Sequence, residues 1–197
     1  MHLSYKAKRI LIIGISLGIL AILYAFKNAA FSLRALSTIG LLIFFYLFDH
    51  IFSVRFTLKH YLYMIIIAVT GFLLSPLYFI YPNYDKVLHL IMPLLYSSIV
   101  FCMVSKLKLE RKWKLTFAFF ISIGIIGLFE IGEYLLDIFF DLKLQGVFLR
   151  GIQGLEKFDI LQDKIDDTMI DMSLGIISSL IYILSLVIKG RKKGAFN

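Results

Sequence analysis

The sequence predicts an all-α protein, a bundle of six transmembrane helices formed by a single domain, residues 1–197. Hydrophobic residues make up 60% of the chain and charged residues 17%, whereas soluble domains have roughly 45–50% and about 25%. Six apolar runs have the length of roughly 20 residues that crosses a bilayer. Lys and Arg concentrate at the ends of these runs, as is typical of loops that fix membrane topology. These three observations place the chain among polytopic membrane proteins.

The predicted spans follow one another closely, except before the last one. They cover residues 10–26, 36–54, 61–81, 87–107, 113–140 and 167–188. Pro76 and Pro93 fall inside the third and fourth spans. We expect kinks there, because proline lacks the N–H donor that a helix interior needs. The long linker 141–166 contains three glycines and several apolar residues, and we expect it to return toward the membrane surface.

The basic residues predict the orientation of the chain. Of the 21 Lys and Arg residues, 14 fall on the side that holds both termini and 7 on the other side. Cytoplasmic loops carry the excess of basic residues, so both termini are expected in the cytoplasm. The net charge of +8 is explained by this topology and does not indicate a nucleic-acid partner. Membrane lipid is the expected partner, and a multi-pass position in the cytoplasmic membrane is the expected location.

Three stretches carry acidic or histidine side chains into the predicted spans. In each stretch the spacing of three, four or seven residues puts the side chains on one helix face. The stretches contain Asp85 and His89; Glu130, Glu133 and Asp137; and Asp163, Asp167 and Asp171. The fourth span starts, the fifth ends and the sixth starts on the same side of the membrane, away from the cytoplasm. The three stretches are therefore expected to meet at one level.

Such a cluster predicts cation or proton chemistry. Several carboxylates and an imidazole cannot all stay charged in a low-dielectric environment, so either a cation binds them or some hold protons. The donor types suit a divalent ion such as Mg²⁺, Mn²⁺, Fe²⁺ or Zn²⁺. The predicted metal ligands are His89, Glu130, Glu133 and Asp171. Asp167 and Asp85 are the predicted acid–base residues, because a spare carboxylate can take a proton from metal-bound water.

Structural roles are the alternative for each of these residues. Asp85 follows Pro82 and can cap the fourth helix. Asp163 and Asp166 can complement the dipole of the sixth helix, and Asp137 can lie at the membrane interface. The remaining residues can form a closed polar network that holds helices together. Asp49 and His50, near the other end of the second span, are interpreted as interfacial. Whether Asp85, Asp137, Asp163 and Asp166 belong to the site stays open.

The chain resembles the YjdF-like family of bacterial inner-membrane proteins. The resemblance covers residues 40–185 and is carried by three motifs: Asp85-Lys-Val-Leu-His89, Glu130-Ile-Gly-Glu-Tyr134 and Asp167-Thr-Met-Ile-Asp-Met172. VanZ-like membrane proteins are similar more loosely. In the turn before Asp167 the chain departs from the family pattern, so Asp167 and Asp171 match better than Asp163. The resemblance implies six membrane-spanning helices and no particular activity.

Three functions remain open at this stage. The first is a metal-dependent hydrolase or transferase that acts on a lipid or lipid-linked headgroup at the outer leaflet. The second is a small proton- or cation-coupled transporter that uses the same carboxylates as a relay. The third is a non-catalytic membrane partner protein whose polar cluster only joins helices. Bound metal would separate the first function from the third.

Overall fold

The computed structural model describes residues 4–26, 29–140, 143–150 and 158–191, and most of these residues are helical. This part of the chain contains α1 (Tyr5–Phe26), α2 (Ala29–Ile51), α3 (Leu58–Ala68), α4 (Tyr84–Val104), α5 (Arg111–Phe140) and α6 (Lys164–Arg191). Two short antiparallel strands, β1 (Val147–Arg150) and β2 (Phe158–Gln162), lie in the linker between α5 and α6. Residues 141–142 and 151–157 of that linker lie outside the described residues. The predicted all-α fold is confirmed, with one small hairpin in the linker.

Five of the helices have the length and composition of membrane spans, namely α1, α2, α4, α5 and α6. Their outward faces carry large apolar side chains, among them Leu17, Phe44 and Leu128, each at least 60% exposed. Contiguous exposed apolar surface of this extent is rare on soluble monomers. Contact with lipid accounts for it.

The third predicted span differs from the expectation. Residues 61–81 do not form one continuous helix: α3 ends at Ala68, a π-helical turn covers Val69–Leu73, and a 3-10 helix covers Ser75–Phe79. Pro76 lies in the 3-10 segment; it has no N–H to donate to the carbonyl four residues earlier and its ring clashes with that carbonyl, so an α-helix cannot continue undisturbed through it. The apolar helix that results, Leu58–Leu73, is shorter than the other five.

Pro93 has a different effect, because α4 continues through it as one helix. Proline still opens the ladder of backbone hydrogen bonds in that turn. The neighbouring helix contributes there: the hydroxyl of Ser178 donates a hydrogen bond of 2.5 Å to the carbonyl of Leu90. This contact attaches α6 to the turn of α4 that precedes the proline.

The helices group into two compact units, Met1–Ser75 and Pro76–Asn197. The first unit is built around the carboxylate of Asp49, which is 0% exposed. Lys8 and the hydroxyl of Tyr61 donate hydrogen bonds to its Oδ2 at 2.6 and 2.7 Å, and the N–H of Phe56 donates to Oδ1 at 3.0 Å. Asp49, interpreted from the sequence as interfacial, is thus a buried ion-pair partner that joins α1, α2 and α3.

The second unit packs α4, α5 and α6 together in layers. At one end Val100, Leu115 and Ile183 belong to a buried apolar cluster. In the middle the hydroxyl of Ser97 donates to Ser122 at 3.0 Å and lies 3.4 Å from that of Ser179. Because these small side chains let helices approach closely and bond to one another, they hold the three helices in register. The acidic stretches lie at the opposite end from the apolar cluster.

Gly175 on α6 packs against the side chain of Ile126 on α5. A Cβ added there would lie 2.7 Å from Cδ1 and 3.0 Å from Cγ1 of Ile126. We expect Gly175→Ala to lower the free energy of unfolding by about 1 kcal/mol, because overpacking outweighs the gain in helix propensity. The matched control is Gly124→Ala on α5, where an added Cβ meets no atom within 4 Å. Thermal unfolding in detergent measures both, and equal effects at the two positions would contradict the packing argument.

Candidate functional site

The three acidic stretches lie at the same end of the second unit. Asp85 and His89 occupy the first two turns of α4, Glu130 lies in the second half of α5, and Asp167 and Asp171 occupy the first two turns of α6. Asp171 is 1% exposed and Glu130 4% exposed. These side chains, with Lys86, are called the charge cluster below. Their burial means that any charge they carry must be balanced by a partner within the protein or by a bound cation.

Lys86 lies at the centre of the charge cluster. Its Nζ contacts Asp167, lies 2.9 Å from both oxygens of Asp171, and lies 3.3 Å from Oδ2 of Asp85. This role was not predicted from the sequence, in which Lys86 counts among the basic residues that set topology. A signal was present: Lys86 follows Asp85 directly within the first of the three motifs. The lysine supplies an internal positive charge, in addition to the bound ion or protons that the acidic residues predict.

Asp85, His89 and Asp171 form a group that could hold a metal ion. Each offers one ligand atom, and the three atoms lie within 4.8 Å of one another. His89 Nε2 is 3.5 Å from Asp85 Oδ1. An ion with bonds of about 2 Å can bind both atoms of this 3.5 Å pair, because two such bonds span up to about 4 Å. The expectation that Asp85 caps α4 is not met, because the residue preceding the helix is Asn83 and Asp85 lies within the first turn.

Glu130 approaches the same imidazole from its other nitrogen. Glu130 Oε1 lies 3.7 Å from His89 Nδ1 and has no hydrogen-bond partner among the residues that the structure describes. The two ring nitrogens of His89 therefore face two different carboxylates, Glu130 on α5 and Asp85 on α4. Glu133 is half-buried one turn further along α5. Ligand roles for Glu130 and Glu133 stay predictions.

Asp167 connects the charge cluster to the linker that follows α5. One of its oxygens contacts Lys86, and the other accepts a hydrogen bond of 2.7 Å from the N–H of Gly146. The next residue, Thr168, accepts a hydrogen bond of 3.1 Å from the side chain of Gln145. Both oxygens of Asp167 are thus engaged, and its acid–base role stays a prediction.

Asp137 fixes the start of the same linker. Its carboxylate accepts hydrogen bonds from the N–H groups of Leu144 and Gln145 at 2.7 and 3.2 Å and pairs with Lys164 at 3.1 Å. Asp137 is buried, so it anchors backbone inside the protein and does not present a free carboxylate at the interface.

The other two acidic residues near the start of α6 lie at the surface. Asp163 Oδ1 accepts hydrogen bonds from the backbone N–H groups of Ile165 and Asp166, both with an N···O distance of 2.9 Å. This is the hydrogen-bond pattern of a residue that caps a helix N-terminus, in agreement with the structural alternative for Asp163. Asp166 is exposed in the first turn. Neither residue contributes to the metal-holding group.

The charge cluster contains more acidic than basic side chains. Four carboxylates (Asp85, Glu130, Asp167 and Asp171) surround one lysine and one imidazole. Lys86 balances one of the four charges, and a protonated His89 would balance a second. Buried charge left without a partner is costly, so the remaining negative charge favours uptake of a divalent cation or of protons.

The family described as "Predicted membrane protein (DUF2238)" matches residues 7–192. This agrees with the resemblance to YjdF-like proteins and with the apolar spans. No curated protein and no solved structure is similar to the chain.

Proposed function

Because the chain belongs to this family of membrane proteins and has several apolar helices long enough to span a membrane, we propose that its charge cluster is a divalent-metal site. The site would serve a hydrolase or transferase that acts on lipid or lipid-linked headgroups. The observation that carries this proposal is the group Asp85, His89 and Asp171, whose ligand atoms lie within 4.8 Å of one another. Two carboxylates and one imidazole are a donor set for a borderline or hard ion such as Zn²⁺, Mn²⁺, Fe²⁺ or Mg²⁺.

Glu130 supports the proposal from outside the ligand group. A histidine that binds metal through one ring nitrogen usually directs the other toward a carboxylate, which fixes the tautomer and the ring orientation. The position of Glu130 Oε1 beside His89 Nδ1 fits this supporting role better than the ligand role expected from the sequence. Asp85 would then serve as a ligand through Oδ1, which faces His89 Nε2.

A bound divalent ion would polarise a phosphoryl or acyl oxygen and lower the pKa of a bound water. The chain itself would contribute position and charge. The site lies at one end of α4 and α6, where a headgroup can approach from the membrane surface while its acyl chains stay in lipid. The distribution of Lys and Arg favours the side away from the cytoplasm, so the outer leaflet is the proposed source of substrate.

The test is the metal content of the purified protein. We expect the wild-type chain to retain close to one equivalent of a divalent metal and Asp171→Asn to lose most of it, because removing a ligand from a three-ligand site eliminates much of the binding energy. Asp166→Asn is the matched control: it removes one carboxylate from the same helix, at an exposed position outside the ligand group. Elemental analysis after purification without chelator gives the result.

A second candidate function is a proton relay in a small carrier. It is favoured by the contacts of Lys86, which already pairs with Asp167 and Asp171, and by the approach of Glu130, His89 and Asp85 to one another. Neighbouring carboxylate, imidazole and ammonium groups inside a membrane protein can pass protons from one to the next. The same measurement separates the two candidates: metal absent from the wild-type protein, or retained equally by Asp171→Asn, would contradict the metal site and leave the relay.

A further inference from the structure

We propose that Lys86 is an internal competitor for the metal site and determines which cations can occupy it. The proposal rests on the proposed function, since it concerns the same ligand group. It starts from a conflict visible in the contacts: two of the three ligand residues, Asp85 and Asp171, are also partners of the ammonium group of Lys86.

The conflict is sharpest at Asp171. Both of its oxygens lie 2.9 Å from Lys86 Nζ, which is the distance of a charge-assisted hydrogen bond. A divalent ion that binds the same carboxylate would stand close to the ammonium group, and two positive charges at such a distance repel strongly away from water. Metal binding must therefore release Lys86 from at least one oxygen of Asp171.

Lys86 has another carboxylate to contact when a metal ion releases it from Asp171. It also contacts Asp167, which is outside the metal-holding group and is fixed by the N–H of Gly146. Its side chain is 18% exposed, in contrast to the nearly inaccessible Asp167 and Asp171. The ammonium group can move toward Asp167 and the surface without leaving the charge cluster.

Glu130 gives independent support for a cation in addition to the lysine. Its Oε1 is buried and lacks a hydrogen-bond partner within the described part of the chain, so Lys86 does not satisfy the whole cluster. Lys86 thus contacts both carboxylates of α6, whereas the described contacts of Glu130 include no lysine or arginine. A monovalent ion gains too little from Asp171 to displace an ammonium that already holds it, whereas a divalent ion gains more. This difference is the proposed basis of selection.

The displaced lysine also defines the class of substrate. A metal ion and a lysine ammonium group within one charge cluster form a site for an anionic group, and phosphate oxygens are common partners of both. Within the proposed function, this favours a phosphate-bearing headgroup over a neutral ester.

The experiment titrates Mn²⁺ and, in parallel, Zn²⁺ into the metal-free full-length protein in detergent, for the wild type and three variants. Lys86→Gln removes the competitor, and we expect it to bind about ten- to hundredfold more tightly, which corresponds to the loss of one charge-assisted hydrogen bond. Lys86→Arg keeps the charge and can hold a carboxylate through two bonds, so it should bind no more tightly than the wild type. Lys164→Gln is the matched control, because Lys164 lies at the same end of α6 as the charge cluster and pairs with Asp137 on α5.

The outcomes separate this inference from the proposed function. Wild-type binding with an equal or weaker affinity in Lys86→Gln overturns the competitor role and leaves the metal site standing. An equal gain in Lys164→Gln also overturns it, because general electrostatics would then suffice. Absence of binding in the wild type and in Lys86→Gln alike overturns both. If Lys86→Gln does not fold, Lys86→Arg decides: tighter binding than the wild type overturns the proposal, and equal or weaker binding supports it.

Discussion

Replacing Asp49 with alanine is expected to lower the free energy of unfolding by about 3–5 kcal/mol, the largest effect of any single substitution predicted for this chain. The reason is that removal of one member of a buried ion pair leaves the other as an uncompensated buried charge. Lys8 is 2% exposed, and its Nζ lies 2.6 Å from Asp49 Oδ2. Asp49 also binds the hydroxyl of Tyr61 and the N–H of Phe56, so α1, α2 and α3 all lose a contact at once.

The measurement is unfolding of the full-length protein in detergent, by heat or by denaturant. Asp166→Ala serves as the control: it removes an exposed aspartate, and such surface substitutions change stability by about 0.5 kcal/mol or less. The double variant Lys8→Met with Asp49→Leu should recover much of the loss, since replacing both members of a buried pair by apolar side chains is often neutral. A loss below about 1 kcal/mol in Asp49→Ala would show that the pair contributes little and that burial of Lys8 is satisfied by other means.

Cation–π contacts are a second source of stabilisation for the buried ammonium group of Lys8. Lys8 Nζ lies 4.8 Å from the ring centre of Tyr5 and 5.0 Å from that of Tyr61. Each such contact contributes about 0.5–2 kcal/mol, more when it is desolvated. The rings therefore reduce the cost of leaving Lys8 without its carboxylate but do not cancel it, and the double variant measures the difference.

The long helices were predictable because membrane spans are a local property of the sequence. A run of about 20 apolar residues is enough to identify one, and α1, α2, α4, α5 and α6 all appear close to the expected positions. The third span was harder, since its hydropathy continues through residues 61–81 while its backbone changes type at Val69 and Ser75. Hydropathy reports composition, whereas the type of helix depends on backbone hydrogen bonding, which Pro76 interrupts in this segment.

The place of the charge cluster was predictable from connectivity, and its internal contacts were not. Consecutive spans run in opposite directions, so the start of α4, the end of α5 and the start of α6 had to lie together. Which atoms meet depends on the rotation of each helix about its axis and on side-chain rotamers, and neither is fixed by spacing along one helix. Lys86 illustrates this: its sequence neighbour Asp85 is evident, but Asp167 and Asp171 are more than 80 residues away.

The ion pair of Asp49 could not be predicted for the same reason. A lone aspartate near the end of an apolar run has the same sequence signature whether it faces the interface or the protein interior. The partner that decides between the two, Lys8, lies on another helix, 41 residues away. Only the packing of α1 on α2 brings them together.

The second large effect is expected from Glu130→Gln, and its sign should depend on metal. In the presence of chelator the substitution is expected to be neutral or stabilising by about 1 kcal/mol. Glu130 Oε1 is buried without a hydrogen-bond partner in the described ranges, and neutralising one of several neighbouring carboxylates relieves their mutual repulsion. A polar amide of the same shape keeps the packing of α5 against α4.

With metal supplied, the same substitution should be destabilising relative to the wild type. A ligand that binds only the folded state stabilises it by about 2.7 kcal/mol at one hundred times its dissociation constant. Loss of the carboxylate beside a metal-binding histidine typically weakens binding ten- to hundredfold, and each factor of ten corresponds to about 1.4 kcal/mol. Glu130→Gln should therefore lose about 1.3–2.3 kcal/mol of the stabilisation that metal gives the wild type.

The test compares the melting temperatures of the wild type and Glu130→Gln in detergent. Each protein is measured with chelator and with Mn²⁺ or Zn²⁺ at a fixed multiple of the wild-type dissociation constant. Glu110→Gln is the control, because Glu110 is exposed and pairs only with Lys112 at the surface among the described contacts; its small effect should be the same in both conditions. A purely structural network predicts a different pattern, in which Glu130→Gln lowers the melting temperature equally with chelator and with metal. That pattern would remove the support that Glu130 gives to the metal site. The change of sign, by contrast, requires that the charge cluster gain binding energy from a cation that only the intact His89 environment can hold.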